Sequence, residues 1–401
     1  MSAETLASES GDRQRVLTQT RRLKMARSAH AYVRGSTRQF YTWLETSPAD
    51  IPEGPPVWIC GDCHLGNLGP IADPKGRVAI QIRDLDQTVV GNPAHDIVRL
   101  GLSFASAARG SDLPGVTTAR MLEGLMAGYQ SGLADDFDRK RDRTNRPELI
   151  QRLLSRSLRR RWPQLAAERL NTERPRLPRG KRFWALEPDE REGLAALMRD
   201  IDVHRVVSGG EKDAASAIGL VDAAYWMKGC SSLGRVRYAV LVRFGEGKRG
   251  RLALIDVKEA VTAAAPRSDV VTMPRDNGVR VLTGAKALSP HLGARMAAGS
   301  LMDRAVVIRE LAPQDLKLEL ARTTASEAEA LAGYLGGVVG RAHGRQMDEG
   351  ARAAWARELA RNQTGALDAP TWLWRSVVEL VSLHEAAYLE HCRQYALAGA
   401  R

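Results

Sequence analysis

Residues 1–50 carry a few apolar anchors between polar stretches, Met25, Tyr32, Phe40, Tyr41 and Trp43, a spacing that predicts helix. From 56 to 90 the pattern changes. Val57–Cys60 and Val78–Arg83 are short apolar runs, with a Gly-rich turn after the first and Asp73-Pro-Lys-Gly76 between them. That reads as a hairpin-like pair of short strands around a loop. Helical periodicity returns over 96–134, through Ile97, Leu100, Leu102, Phe104, Met121, Leu125, Met126 and Tyr129. Residues 135–205 read as helical pieces broken at Pro147, Pro163, Pro175 and Pro178. Then come three β-prone runs, Val221–Met227, Arg237–Phe244 and Arg251–Lys258. The Gly-bounded turns Gly229–Gly234 and Gly245–Gly250 join them. This predicts an antiparallel meander, with Ala305–Leu311 as a fourth strand. From Asp315 onward the chain reads as helices with breaks near Gly350 and Pro370. No repeat or low-complexity tract interrupts the pattern.

Composition adds limits. Of 401 residues, 44% are hydrophobic but only 5% aromatic, so aliphatic and Ala-rich helices must do most of the packing. No apolar run approaches the roughly 20 residues of a membrane span. The first residues lack the apolar core of a secretory signal, so a cytoplasmic protein without membrane contact is expected. Four cysteines exclude a disulfide scaffold. Charge changes the picture more. The net charge is +12, and Asp135 to Arg182 alone holds 16 basic against 7 acidic residues, a net of +9. Such a segment attracts anions, or it is simply a solvated helical insertion. Nucleic acid as a partner rests on this segment alone.

The chemistry-bearing residues cluster. Gly61-Asp62-Cys63-His64-Leu65-Gly66-Asn67 is followed, seventeen residues after Asn67, by Asp84 in Ile82-Arg-Asp-Leu-Asp86, and then by Gly91-Asn-Pro-Ala-His-Asp96. Phosphoryl transfer needs a group to orient or deprotonate the acceptor hydroxyl, and hard oxygen ligands for Mg²⁺. Asp62 on a tight loop suits the first role. Asn67 and Asp84 suit the second, with Asp86 as a second metal contact or an exposed turn acid. Cys60 and Cys63 form a C-x-x-C, but neither a βαβ setting nor two further close ligands accompany it. Gly333, Gly336, Gly337 and Gly340 loosely match a dinucleotide fingerprint. They lie in helical pattern with no strand before them, so helix packing accounts for them better. Neither Gly-Lys pair is followed by Ser or Thr, so no Walker A sequence exists.

The first cluster resembles the catalytic segment of the aminoglycoside phosphotransferase and choline kinase branch of the protein-kinase-like fold. That pattern is H-G-D-x-H-x-x-N, an apolar strand, then I-D-x-x-x-x-x-x-G-x-P-x-x-D. Asp84, Gly91, Pro93 and Asp96 stand at its offsets, and Cys60 replaces its first His. The resemblance implies Asp62 as catalytic base, Asn67 and Asp84 as Mg²⁺ ligands, and a structural or phosphate-side role for His64. It gives Asp96 a helix-anchoring role. It further implies that Lys258 pairs the phosphates of ATP and that the turn with Gly229, Ser231, Ser232 and Gly234 covers them, with Arg309 among the nucleotide-binding residues. The family usually has a small apolar residue against the adenine where this chain has Asp256. Asp269, Asp276 and Glu310 are the candidate acidic partners of Lys258. Leu335–His343 resembles the helix that normally precedes the catalytic loop, so the parts are present in circularly permuted order. That order, with Arg34-Gly35, Val257-Lys-Glu-Ala260, Arg309-Glu-Leu311 and Ala342-His343, also resembles the bacterial domain-of-unknown-function 2252 family, from about Met25 to Tyr395.

The expectation is an α+β, two-lobed, permuted kinase-like fold, mostly helical. Residues 1–205 would form a helical lobe with a basic insertion at 135–182. Residues 206–314 would form a sheet lobe for the nucleotide, and 315–401 helices that return to the first lobe. The expected activity is ATP- and Mg²⁺-dependent phosphoryl transfer to a hydroxyl, on a small or anionic acceptor. A non-catalytic nucleotide- or polyanion-binding scaffold and a metal-dependent phosphoesterase are the alternatives.

Overall fold

The computed structural model describes residues 10–46, 51–134, 146–171, 175–207, 218–230, 232–245, 251–316, 318, 323–361 and 369–395. Among the described residues the strands are β1 (Val57–Ile59), β2 (Leu68–Ala72), β3 (Val78–Ile82), β4 (Val89–Gly91), β5 (Phe183–Trp184), β6 (Ile218–Trp226), β7 (Arg237–Phe244), β8 (Arg251–Glu259), β9 (Met296–Leu301) and β10 (Arg304–Glu310). The class is α+β, with more helix than strand.

The largest sheet has six antiparallel strands in the order β5-β6-β7-β8-β10-β9. Its centre is the expected meander. Apolar runs bounded by Gly turns have one pairing open to them, and register puts Arg237 opposite Lys258 and Ala239 opposite Asp256. After β8 the chain crosses through helix Asn277–Leu288 and returns as the β9–β10 hairpin. The turn residues Met302 and Asp303 both have positive φ, the conformation that fits a two-residue turn to strand twist. β5 joins this sheet from upstream of residue 206, through Phe183 opposite Trp226. One face of the sheet is buried by Leu17, Leu194, Leu197 and Val203 of three helices. The other is buried by Leu165, Leu170 and Leu177 of the basic stretch.

The expected pairing of the Val57 and Val78 runs is not formed. Val57 pairs across to Gly91 in β4, and Val78 pairs with Ala72 in β2. The Asp-Pro-Lys-Gly turn closes the β2–β3 hairpin instead, because Leu68–Ala72 supplies a nearer apolar partner. Two of the expected breaks fall just before the residue named for them, between Arg159 and Trp162 and between Gly344 and Glu349. Pro163 opens helix Trp162–Arg169 from its first turn, where its missing N–H costs nothing. Gly350 lies inside helix Glu349–Ala360, which Asp348 caps by accepting from the Ala351 N–H.

The helical body has one extensive core. At its centre, helices Gly115–Leu133 and Ala325–Gly344 approach to backbone contact. A Cβ at Gly128 would lie 1.9 Å from the Gly333 carbonyl oxygen, and one at Gly340 would lie 2.2 Å from that of Tyr129. The glycine series at 333–340 serves this contact. The close approach sets His343 beside Tyr129, whose hydroxyl lies 2.9 Å from its Nδ1, and Trp355 donates to the same hydroxyl at 3.1 Å.

Candidate functional site

The loop after β1 is held from below by helix Ala94–Arg109. Asp96, in its first turn, accepts from the Cys60 N–H at 2.7 Å and the Gly61 N–H at 3.0 Å. His343 Nε2 lies 3.2 Å from the same carboxylate. Gly61 sits at φ +72, and a Cβ there would meet the Gln87 carbonyl at 2.1 Å, so only Gly lets the chain turn. One turn along the helix, Arg99 donates from Nε to Asp62 Oδ1 at 2.9 Å and from Nη2 to the Val33 carbonyl at 2.6 Å. Two turns along, Ser103 Oγ accepts from the Leu65 N–H. Positions 96, 99 and 103 form a buried polar stripe at helical spacing that fixes the backbone and side chain of Asp62. Burial pushes the Asp62 carboxyl up, and the Arg99 guanidinium opposes it. Asn67 donates from Nδ2 to the Asp62 carbonyl at 3.0 Å, which leaves its amide oxygen as the group available to a cation.

Asp84 and Asp86 follow the end of β3. Lys258, near the end of β8, places Nζ 3.2 Å and 3.3 Å from the two Asp84 oxygens and also contacts Asp86. Desolvation would raise the Asp84 carboxyl, but Lys258, with Arg309 and Arg237 beyond it, holds it well below the usual range. Asp86 is pushed the other way, by burial and by Asp84. Cys60 ties the loops together with its thiol 3.6 Å from the Asp84 carbonyl.

Lys258 thus finds its acids in the Asp84–Asp86 loop, and Asp269, Asp276 and Glu310 are not among its partners. Asp276 caps a helix through the Val279 N–H, and Glu310 pairs with Arg251. The helix that follows β8 presents an arginine instead. Arg280, fully buried, donates to the carbonyls of Thr88, Asp86 and Val261. A Cβ at Gly284 would meet Thr88 at 2.5 Å, so the helix rests directly on that loop.

Strand alternation puts Asp256 on the face of β8 that carries Lys258. Arg237 grips it with two hydrogen bonds of 2.8 Å and 2.6 Å. Arg309 adds two of 3.3 Å, and Lys228 stands 3.8 Å away. Burial opposes ionisation, yet these cations hold the Asp256 carboxyl far below its ordinary value. Arg309 also donates to the Arg83 carbonyl, so its first partners are protein atoms.

Asp62, His64, Asn67, Asp84, Gly229, Ser232 and Arg309 line one cleft of about 320 Å³, a size within the range of small-molecule sites. Lys258 lines a smaller cavity that shares Asp84, Arg237 and Arg309 with it. Asp86 borders that smaller cavity and not the cleft. His64 is buried, and desolvation with Arg34 and Arg99 nearby keeps its ring neutral. Gly229 and Gly234 have φ of +96 and +99, as the turn requires. Ser232 Oγ donates to the Lys228 carbonyl. Gly234 faces Gln14 of helix Ser10–Met25, away from the cleft lining, and Ser231 lies outside the described residues. Among the described residues, Cys60, Cys63 and Asp96 bring ligand atoms within 4.8 Å of one another. Asp96 is already bonded by two amides and His343. The Cys60 thiol is pushed up by its hydrogen bond with Cys63 and by burial, so the thiolate a metal needs is disfavoured.

A family model described as an uncharacterized protein conserved in bacteria matches residues 13–394. The chain belongs to the domain-of-unknown-function 2252 family. It matches no curated protein and no solved structure. No helix among the described residues is long and apolar enough to cross a membrane. Arg99, Arg237 and Arg280 are the site residues that sequence reasoning missed. The signals were there: Asp96, Arg99 and Ser103 share one face of an apolar helix, and Arg237 opposes Lys258 once the meander's register is drawn.

Proposed function

We propose that this protein is a Mg²⁺-dependent phosphotransferase acting on a hydroxyl, with a permuted kinase-like arrangement and ATP as the donor that the resemblance implies. The observation that carries this is the 3.2 Å approach of Lys258 to Asp84, which borders the same cleft as Asp62 and Asn67. Groups from distant parts of the chain border one cleft. The sheet supports it too, since a Gly-bounded turn joins the first two strands of the meander, the Lys is on the third, and a helix follows.

The donor set suits Mg²⁺. Asp84 stays ionised, Asn67 offers a neutral amide oxygen, and both are hard ligands on one wall. Bound there, the ion would neutralise charge on the phosphate oxygens. Asp62, aimed by Arg99, would orient the acceptor and take its proton as the acceptor oxygen bonds to phosphorus and the bridging P–O bond breaks toward the leaving phosphate. Lys258 balances Asp84 and Asp86 and would turn toward the phosphates.

A second reading has one observation in its favour. Arg99 occupies Asp62 Oδ1, which weakens that carboxylate as a base and suits a binding cleft without turnover. Label transfer separates the two. With γ-labelled ATP, Mg²⁺ and a panel of hydroxyl-bearing small molecules, wild type should move label, and Asp62→Asn should slow this about 10²- to 10⁴-fold. Wild type that moves no label to any acceptor or to water would favour the non-catalytic reading.

A further inference from the structure

The sheet face that carries Lys258 and Asp256 is where the kinase-like reading would lay the nucleotide base. It is occupied by the protein itself. In register, Ala239 opposes Asp256, Leu241 opposes Leu254, and Ala224 opposes Ala239, so these residues share the face. Its apolar part is covered by Leu165, Leu170 and Leu177 of the basic stretch, in one buried cluster with Trp226 and Leu254. The remainder is the buried Asp256–Arg237–Arg309 cluster, which cannot be opened without stranding charges. The basic stretch is pinned at the segment after β10. Arg160 donates to the Pro313 carbonyl at 2.7 Å, and Ser157 donates to that of Gln314 at 2.6 Å. A purine ring needs a flat apolar slot, and among the described residues the apolar part of this face is already covered, with Leu165 and Leu311 of the cleft edge buried in the same cluster.

The phosphate side differs. Lys228 stacks 3.9 Å over Trp226, and its nearest acid, Asp256, is already held by two arginines. Burial, with Arg237, Arg309 and Arg169 nearby, pushes its amine well below the ordinary value, so an anion beside it would restore its proton. Arg34 lies across Gly66, where a Cβ would come within 3.1 Å of the guanidinium. Among the described residues no hydrogen bond or ion pair reaches the Arg34 guanidinium. Both side chains border the cleft beside Asp62 and Asn67. A guanidinium without an acid and an amine crowded by arginines call for an anion that carries several charges.

We infer that the cleft takes its ligand by the phosphate chain alone, without a bound base, so that inorganic oligophosphates and nucleoside triphosphates are equivalent ligands held by Lys228 and Arg34. The inference rests on the phosphotransferase reading for the site's chemistry and narrows its donor class.

Titration calorimetry with the full chain in Mg²⁺ tests it with three probes: tripolyphosphate, ATP and adenosine. Tripolyphosphate and ATP should bind within about threefold of each other, and adenosine should not bind. Lys228→Met should weaken both phosphate ligands tenfold or more. Arg34→Met serves the same purpose if the first variant does not fold. ATP binding tenfold or more above tripolyphosphate, or adenosine binding alone, would overturn the inference and leave the phosphotransferase proposal intact. Failure of every probe to bind would overturn both. Binding of the two phosphate ligands without label transfer to any acceptor would uphold the inference and remove the transfer proposal.

Discussion

Asp62 is a buried acid beside a buried arginine, and its behaviour follows from that pair. Burial raises the carboxyl and Arg99 lowers it, with a net rise above the unfolded value. A carboxyl raised on folding binds more protons when native, so its contribution to stability falls as pH rises through that window. Replacing Arg99 by Met removes the opposing charge and moves the window higher. Arg99→Met should therefore cost about 3–5 kcal/mol at pH 7 and clearly less near pH 4, as read by denaturant unfolding at the two pH values. Asp256 has the opposite sign. Its carboxyl is depressed, so its stabilisation is present above the unfolded value near 3.9 and is lost as pH falls below it. Asp256→Asn should flatten the acid limb of the stability profile and cost several kcal/mol at neutral pH, because Arg237 and Arg309 lose their shared acid. Asp62, Asn67 and Asp84 stood out in the sequence because their spacing is local, and all three border one cleft. Arg99, Arg237 and Arg280 were passed over, because an arginine reads as a surface residue until a partner appears. Their partners lie in other elements.

Among elements, the meander was readable because three apolar runs between Gly turns leave one arrangement open. β9 was not, because Met296-Ala-Ala-Gly-Ser-Leu301 has small side chains and little β-propensity. Its place comes from pairing with β10 and from packing under Leu197. The short strands near Asp62 misled for another reason. Local pattern gives strand positions but not partners, and β1 pairs with β4 beyond an intervening hairpin. The glycine-lined helix pair sets the floor of the site, since it positions His343 against Asp96. At Gly128 an added methyl meets backbone rather than a side-chain tip, so the helices must separate. Gly128→Ala should destabilise by about 1–3 kcal/mol despite its higher helix propensity, by denaturant midpoint at unchanged slope. A stabilised Gly128→Ala would show that the helices do not approach this closely.

At the scale of the molecule, Arg34 and residues from 62–84, 160–169, 228–237 and 309–316 border one cleft. Helix Ser10–Met25 ties the Gly-bounded turn through Lys24, which donates to the Gly229 carbonyl, and its Arg13 pairs with Glu190 under the sheet. The basic stretch read in sequence as a charged insertion is partly a lining. Its Arg160, Leu165 and Arg169 border the cleft while other arginines face solvent. Composition could show the charge but not which part of it turns inward, since that depends on the leucines that dock on the sheet.

Asp84 and Lys258 are proposed to mark a Mg²⁺-phosphate site. Thermal unfolding with and without ATP plus Mg²⁺, for wild type beside Asp84→Asn, is the test. Ligand at about 100 times its Kd should stabilise wild type by about 2.7 kcal/mol. That shift should require Mg²⁺ and should be lost in Asp84→Asn. A wild type that shows no Mg²⁺-dependent shift, or an Asp84→Asn variant that shifts as much as wild type, would contradict the account.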